Sequence, residues 1–136
     1  MLKLTLLSYD RLRPLIYPQT DLFCICFSVG KPSSFVNVMD KWIQELRYHV
    51  GKTTPILLVG CKTDLRKERE EKRIKLTLLN YAISRELGEK LARKIGGISY
   101  IETSSKDNVG LSDLITVLAK CILLSYETKN DKCALQ

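Results

Sequence analysis

The chain is poor in the residues that metal and disulfide proteins are built from. It has a single histidine, five cysteines and no C-x-x-C pair in 136 residues. That argues against a zinc site, and an odd cysteine count without a secretory leader points to a reducing compartment. "MLKLTLL" is too short for a signal-peptide apolar core, and no apolar run approaches the length of a membrane span. Internal repeats and low-complexity linkers are absent, and aromatics are sparse, with one Trp, six Tyr and three Phe. The phosphate-binding signature G-x-x-x-x-G-K-[S/T] is also missing. Gly51-Lys52-Thr53 imitates its end, but the first glycine would have to stand at position 46, which is Leu46. The tripeptide also follows a helical pattern and precedes a strand, whereas a phosphate cradle lies between a strand and the helix it opens. It reads as a surface turn.

What is present suits one domain of modest size, with 45% apolar residues and a net charge of +7. A basic balance can serve nucleic acid or an anionic membrane. Here the charge is interleaved: residues 66–75 carry six basic and three acidic side chains. That pattern reads as a solvated helical turn or loop. No nucleic-acid-binding module appears, so nucleic acid is not expected as a partner.

Three short apolar runs read as strands: DLFCICFSV (21–29), PILLVGCK (55–62) and ISYIETS (98–104). Continuous rather than alternating apolarity suggests burial on both faces, as in a parallel sheet. Cys24 and Cys26 alternate within the first run, so they share one side of it and read as small buried hydrophobes. Phe35, Val38, Met39, Trp42 and Leu46 follow helical spacing, with Ser33 or Ser34 as N-cap. Ser84 caps a second helical pattern carrying Leu87, Leu91 and Ile95, closed by Gly96-Gly97. Leu111, Leu114, Ile115, Leu118 and Ile122 mark a third. Strand and helix alternate, the pattern of an open, doubly wound α/β sheet whose ligands sit at the carboxyl ends of the strands. Cys61–Asp64 and Thr103–Lys106 both fall there.

Gly60-Cys61-Lys62-Thr63-Asp64 resembles the N/T-K-x-D element of Ras-type GTPases. One carboxylate can accept two parallel hydrogen bonds from guanine N1–H and its exocyclic amine; adenine offers no such pair, so one Asp separates the bases. The stem of Lys62 can lie over the purine. Glu102-Thr103-Ser104-Ser105-Lys106 resembles the E-T/C-S-A-K element of the same superfamily. There a backbone N–H at Ser105 would meet guanine O6, and Lys106 would flank the base. Two such motifs in the right order, each on a strand end, are far more specific than either alone.

YDRLRPLIYPQTDLFCICFS (9–28), KWIQELRYH and LLVGCKTDLR resemble the second switch region and following elements of Rho-family small GTPases. The resemblance implies a Ras-like fold, here a partial doubly wound sheet. It also implies binding of GTP or GDP with Mg²⁺, slow GTP hydrolysis, and actin and polarity signalling through Rho regulators and effectors. It divides the chain into a non-matching segment 1–8, a Rho-like domain 9–126 and a polar tail 127–136. Residues implied for guanine are Cys61, Lys62, Asp64, Ser104, Ser105 and Lys106; Tyr9, Arg11, Leu12 and Pro14 would form the partner surface. Cys61 departs from the usual Asn or Thr at its position. Roughly the first third of the family's domain, with the phosphate loop and the first switch, has no counterpart here. The D-x-x-G-Q segment expected before Tyr9 is replaced by MLKLTLLS. No catalytic residue and no Mg²⁺ ligand is therefore carried over, and an N-terminally truncated, inactive form is expected.

The last four residues, Cys133-Ala134-Leu135-Gln136, fit C-a-a-X, with Gln favouring a farnesyl group on Cys133. One lipid anchors marginally, and the flanking Lys129 and Lys132 are offset by Glu127 and Asp131. The expected location is the cytoplasmic face of the plasma membrane or endomembranes, partly cytosolic. The alternative to a switch enzyme is a prenylated, non-enzymatic interaction protein that occupies Rho regulators or effectors.

Overall fold

A computed structural model of the chain describes residues 12–71 and 81–133. The N-terminal segment 1–8, Tyr9, Arg11 and the final tripeptide after Cys133 lie outside the described residues.

Three strands form one parallel sheet: β1 (Phe23–Ser28), β2 (Ile56–Cys61) and β3 (Ser99–Thr103), in the order β1-β2-β3. The register pairs Phe23 with Ile56 and Leu57 with Ser99. Parallel neighbours need crossovers, and the helical segments supply them. The fold is mixed α/β, consistent with a partial Ras-like sheet. β2 is central and buried along most of its length; Leu57 and Leu58 are fully enclosed. Each such side chain contributes about 1.5–3 kcal/mol of hydrophobic burial.

Two apolar layers flank the sheet. On one face Ile25, Phe27, Ile56 and Leu58 meet Val38, Leu46, Leu91 and Ile95. The chain there is helical from Pro32 to Val50, as α1 (Pro32–Asn37), a π-helical segment (Val38–Ile43) and α2 (Gln44–Val50). The stripe from Phe35 to Leu46 faces the core as its spacing predicts. Its cap differs from expectation. Lys31 is the N-cap and Pro32 occupies the first turn, where its missing N–H costs nothing. The Ser34 hydroxyl accepts from the Ser28 amide at 3.0 Å and donates to the Lys31 carbonyl at 2.7 Å.

α4 (Arg85–Lys94) starts as predicted, with the Leu87 amide donating to Ser84 Oγ at 3.3 Å. It closes through Gly96, at φ 68°, and a 2.8 Å bond from the Gly97 amide to the Ala92 carbonyl. Leu91 and Ile95 are buried, but Leu87 is exposed on the first turn. Gly51 sits in a turn after α2, which is where the false phosphate signature falls.

On the other face Leu22, Leu57, Val59 and Ile101 pack against Leu114, Val117, Leu118 and Cys121 of α5 (Leu111–Cys133). α5 lies against β3, and its Ile115, expected in the core, points to solvent. Cys24 and Cys26 share a side, as alternation requires. They are not both buried: Cys24 is half-covered and Cys26 is exposed. Among the described strands β1 lies at the edge of the sheet, where Cys24 still packs against the layer that α5 covers. The charged run after Asp64 begins as α3 (Asp64–Glu71), and its remainder lies outside the described residues.

Candidate functional site

The carboxyl ends of the three strands present two loops side by side. β2 ends at Cys61, and Lys62 turns the chain at φ 62°, a left-handed conformation that side chains rarely adopt. The Thr63 amide donates across to the Thr103 carbonyl at 3.2 Å, joining the two loops through their backbones. Asp64 then opens α3. After β3, Ser104 and Val109 exchange both backbone hydrogen bonds, each 3.0 Å, and close residues 104–109 into a tight loop. Asn108 supports it at φ 53° and Gly110 at φ 72°. A Cβ on Gly110 would run into the carbonyl oxygen of Glu102, so the close approach needs glycine.

One contact brings the predicted residues together. Ser104, fully buried, donates its hydroxyl to Asp64 Oδ1 at 2.6 Å and accepts from the Asp107 amide at 3.1 Å. The serine thus fixes the plane of the Asp64 carboxylate at the strand ends. A planar base with two adjacent N–H donors fits a carboxylate held in this way. Ser105 stands exposed on the neighbouring loop.

The other predicted residues are arranged less directly. The Lys62 side chain is exposed. The Lys106 ammonium pairs with Glu68 of α3, and this raises its pKa. Contact with Cys26, and then burial, pushes the Cys61 thiol above its ordinary pKa. Leu12 and Pro14 lie in and beside a single 3₁₀ turn, Arg13–Ile16; Leu12 is 57% and Leu15 75% exposed.

Reading the motifs alone missed Arg66. It follows Asp64 by two residues and clamps Glu102 with a bidentate ion pair, at 2.8 and 2.5 Å. It also donates from Nε to the Ile83 carbonyl at 2.8 Å. The Tyr100 hydroxyl donates to Glu102 at 2.8 Å. Burial pushes the Glu102 carboxyl up, but the hydrogen bonds from Arg66 and Tyr100 outweigh it and hold the pKa below the usual range. Burial, then the contact with Glu102, raises the Tyr100 phenol. The signal for Arg66 was a basic residue just after one motif and an acidic residue opening the other.

Among the described residues no group of three or more His, Cys, Asp or Glu is placed to hold a metal ion.

Loops at the carboxyl ends of a parallel sheet, with a fixed carboxylate between them, define an open α/β nucleotide-binding protein. A Ras family model matches residues 7–124, and the chain belongs to the Ras family of small GTPases.

Proposed function

We propose that these residues form the guanine-reading wall of a Rho-type small GTPase, in a form that lacks the phosphate and Mg²⁺ cradle. The observation that carries this reading is the Ser104–Asp64 hydrogen bond. It joins the two base motifs and presents one aimed carboxylate. Lys62, Ser105 and Lys106 complete the wall, with Lys106 leaving Glu68 to flank the base. Cys61 supports it from beneath as the last residue of β2.

Magnitudes decide what such a wall can do alone. Two or three hydrogen bonds to the base contribute about 1–3 kcal/mol each where a charge takes part. Association costs roughly 4–15 kcal/mol of lost freedom. Little remains, so the 136-residue chain discriminates guanine without holding GTP or GDP tightly. The D-x-x-G-Q segment that would orient a hydrolytic water has no match in MLKLTLLS, and GTP turnover is not expected of these 136 residues.

The test is a titration of the 136-residue chain with fluorescent GDP and Mg²⁺, paired with amide NMR shifts under guanosine and under adenosine. The expected result is no saturable GDP binding, with guanosine alone shifting Lys62–Asp64 and Ser104–Lys106. Stoichiometric GDP binding or GTP turnover sinks the first half of the proposal. Equal shifts under both nucleosides sink the second.

A second reading gains from the exposure of Leu12 and Leu15, which present apolar side chains on the partner segment. In it the chain, prenylated on Cys133 and held at a membrane, occupies Rho regulators or effectors without cycling. Binding of a Rho exchange factor in the absence of nucleotide supports this form.

A further inference from the structure

Cys24 and Cys26 are two residues apart on β1, so the pleat points both thiols to one face. Their sulfurs stand 3.9 Å apart. Cys24 is half-buried against the layer that α5 covers, whereas Cys26 is exposed, so the pair opens to solvent on the Cys26 side. Residues i and i+2 of a strand are about 6.6 Å apart, twice the rise per residue. A disulfide prefers Cα atoms closer than that and Cβ atoms about 3.8 Å apart, so direct S–S bonding works against the strand. A soft atom inserted between the sulfurs does not. With bonds of about 2.3 Å, as in thiolate coordination, a bent bridge of about 100° holds its sulfurs roughly 3.5 Å apart, a few tenths of an ångström inside the observed separation.

We propose that Cys24 and Cys26 form a preorganised dithiol site that chelates trivalent arsenicals. The reaction balances without an oxidant. An R–As=O group gains two As–S bonds, both thiols lose their protons, and the oxygen departs as one water. The thiols are differentiated for the two steps. Hydrogen bonding with Cys26 holds the Cys24 thiol below its ordinary pKa, so Cys24 supplies the attacking thiolate. The same contact pushes Cys26 up to about 12, so it keeps its proton until the oxygen leaves. Cys61 is turned to Thr103 as well as Cys26 and is not a ligand in this proposal.

The test treats the whole chain with phenylarsine oxide and follows intact mass, retention and melting. The expected product carries one phenylarsenic group with loss of one water. It resists excess 2-mercaptoethanol and is released by 2,3-dimercaptopropanol. A variant with Cys61, Cys121 and Cys133 all changed to Ser keeps this behaviour. Cys24→Ser or Cys26→Ser in that background loses the second bond, and retention against monothiol falls by about 10²–10⁴-fold, the usual gain from an intramolecular second contact. Because the site is preformed, the adduct also raises Tm. Unchanged retention in either single variant overturns the proposal. So does an adduct that leaves Tm unmoved or lowers it, since an unfolded Cys-x-Cys segment could then chelate equally well.

Discussion

Arg66 grips Glu102 through both guanidinium nitrogens, at 2.8 and 2.5 Å, across the ends of two neighbouring strands. Arg66 belongs to the helix that Asp64 opens, and Glu102 to the strand that delivers Ser104. The ion pair therefore sets the spacing between the two base loops. Both side chains are largely enclosed, 22% and 12% exposed, and the guanidinium also holds the Ile83 carbonyl. A bidentate fork of this kind adds geometry as well as energy.

Removing one partner should cost more than a surface ion pair. Glu102→Gln leaves Arg66 half-satisfied in a partly enclosed site, and a loss of about 1–3 kcal/mol is expected. Arg66→Lys keeps the charge but forfeits the fork, and should recover only part of that stability. Urea denaturation of the two single variants and the double variant measures the coupling. Additive single effects would show that the pair does not act as a unit.

The same pair gives a pH dependence of known sign. The folded Glu102 pKa is depressed. Its contribution is fully present above the unfolded value of about 4.3 and is lost as pH falls through the lower folded value. Wild-type stability should therefore drop on acidification below about pH 4.3, and the gap between wild type and Glu102→Gln should narrow over that range. Denaturation midpoints at pH 6, 4 and 3 report it.

Gly110→Ala is expected to damage the fold locally. The residue sits at φ 72° with the Glu102 carbonyl in the space a Cβ needs. Strain of about 1–3 kcal/mol follows from the backbone conformation alone. Hydrogen exchange should speed up at Ser104 and Val109, whose paired amides close the loop. Protection equal to wild type would mean the loop tolerates the shift.

Lipidation of Cys133 is testable without reference to nucleotide. Cys133→Ser should move the protein from the membrane to the soluble fraction of cells that carry a farnesyltransferase. One prenyl chain with few net basic neighbours anchors weakly, so wild type should partition between both fractions. Identical partitioning of the variant would count against the lipid.

Much of this arrangement was legible in the residues. Three continuous apolar runs became three parallel strands, and Ser84 and Gly96 mark the ends of α4 as capping chemistry requires. Burial was less legible, because it depends on which helix lies over which strand. Cys24 and Cys26 are apolar enough for a core, yet β1 lies at the edge of the described sheet, where Cys24 is only half-covered and Cys26 is exposed. Leu87 and Ile115 match helical spacing and still face solvent. Of the site, the motif residues were visible, while Arg66 was not, since its role depends on a partner 36 positions away.

The Asp64–Ser104 contact gives the sharpest test of the base site. The serine is buried, and its hydroxyl serves both the carboxylate and the Asp107 amide. Ser104→Ala removes the hydroxyl and frees the Asp64 carboxylate to rotate away from the strand ends. The fold should lose about 1–2 kcal/mol, the cost of an unpaired buried partner. The shift of the Asp64 amide under guanosine should disappear, while the sheet amides of Leu57–Val59 stay in place. Ser104→Thr keeps the hydroxyl and, if its methyl is accommodated, should restore the guanosine response. A guanosine response that survives Ser104→Ala would mean that the serine supports the loop without aiming the carboxylate.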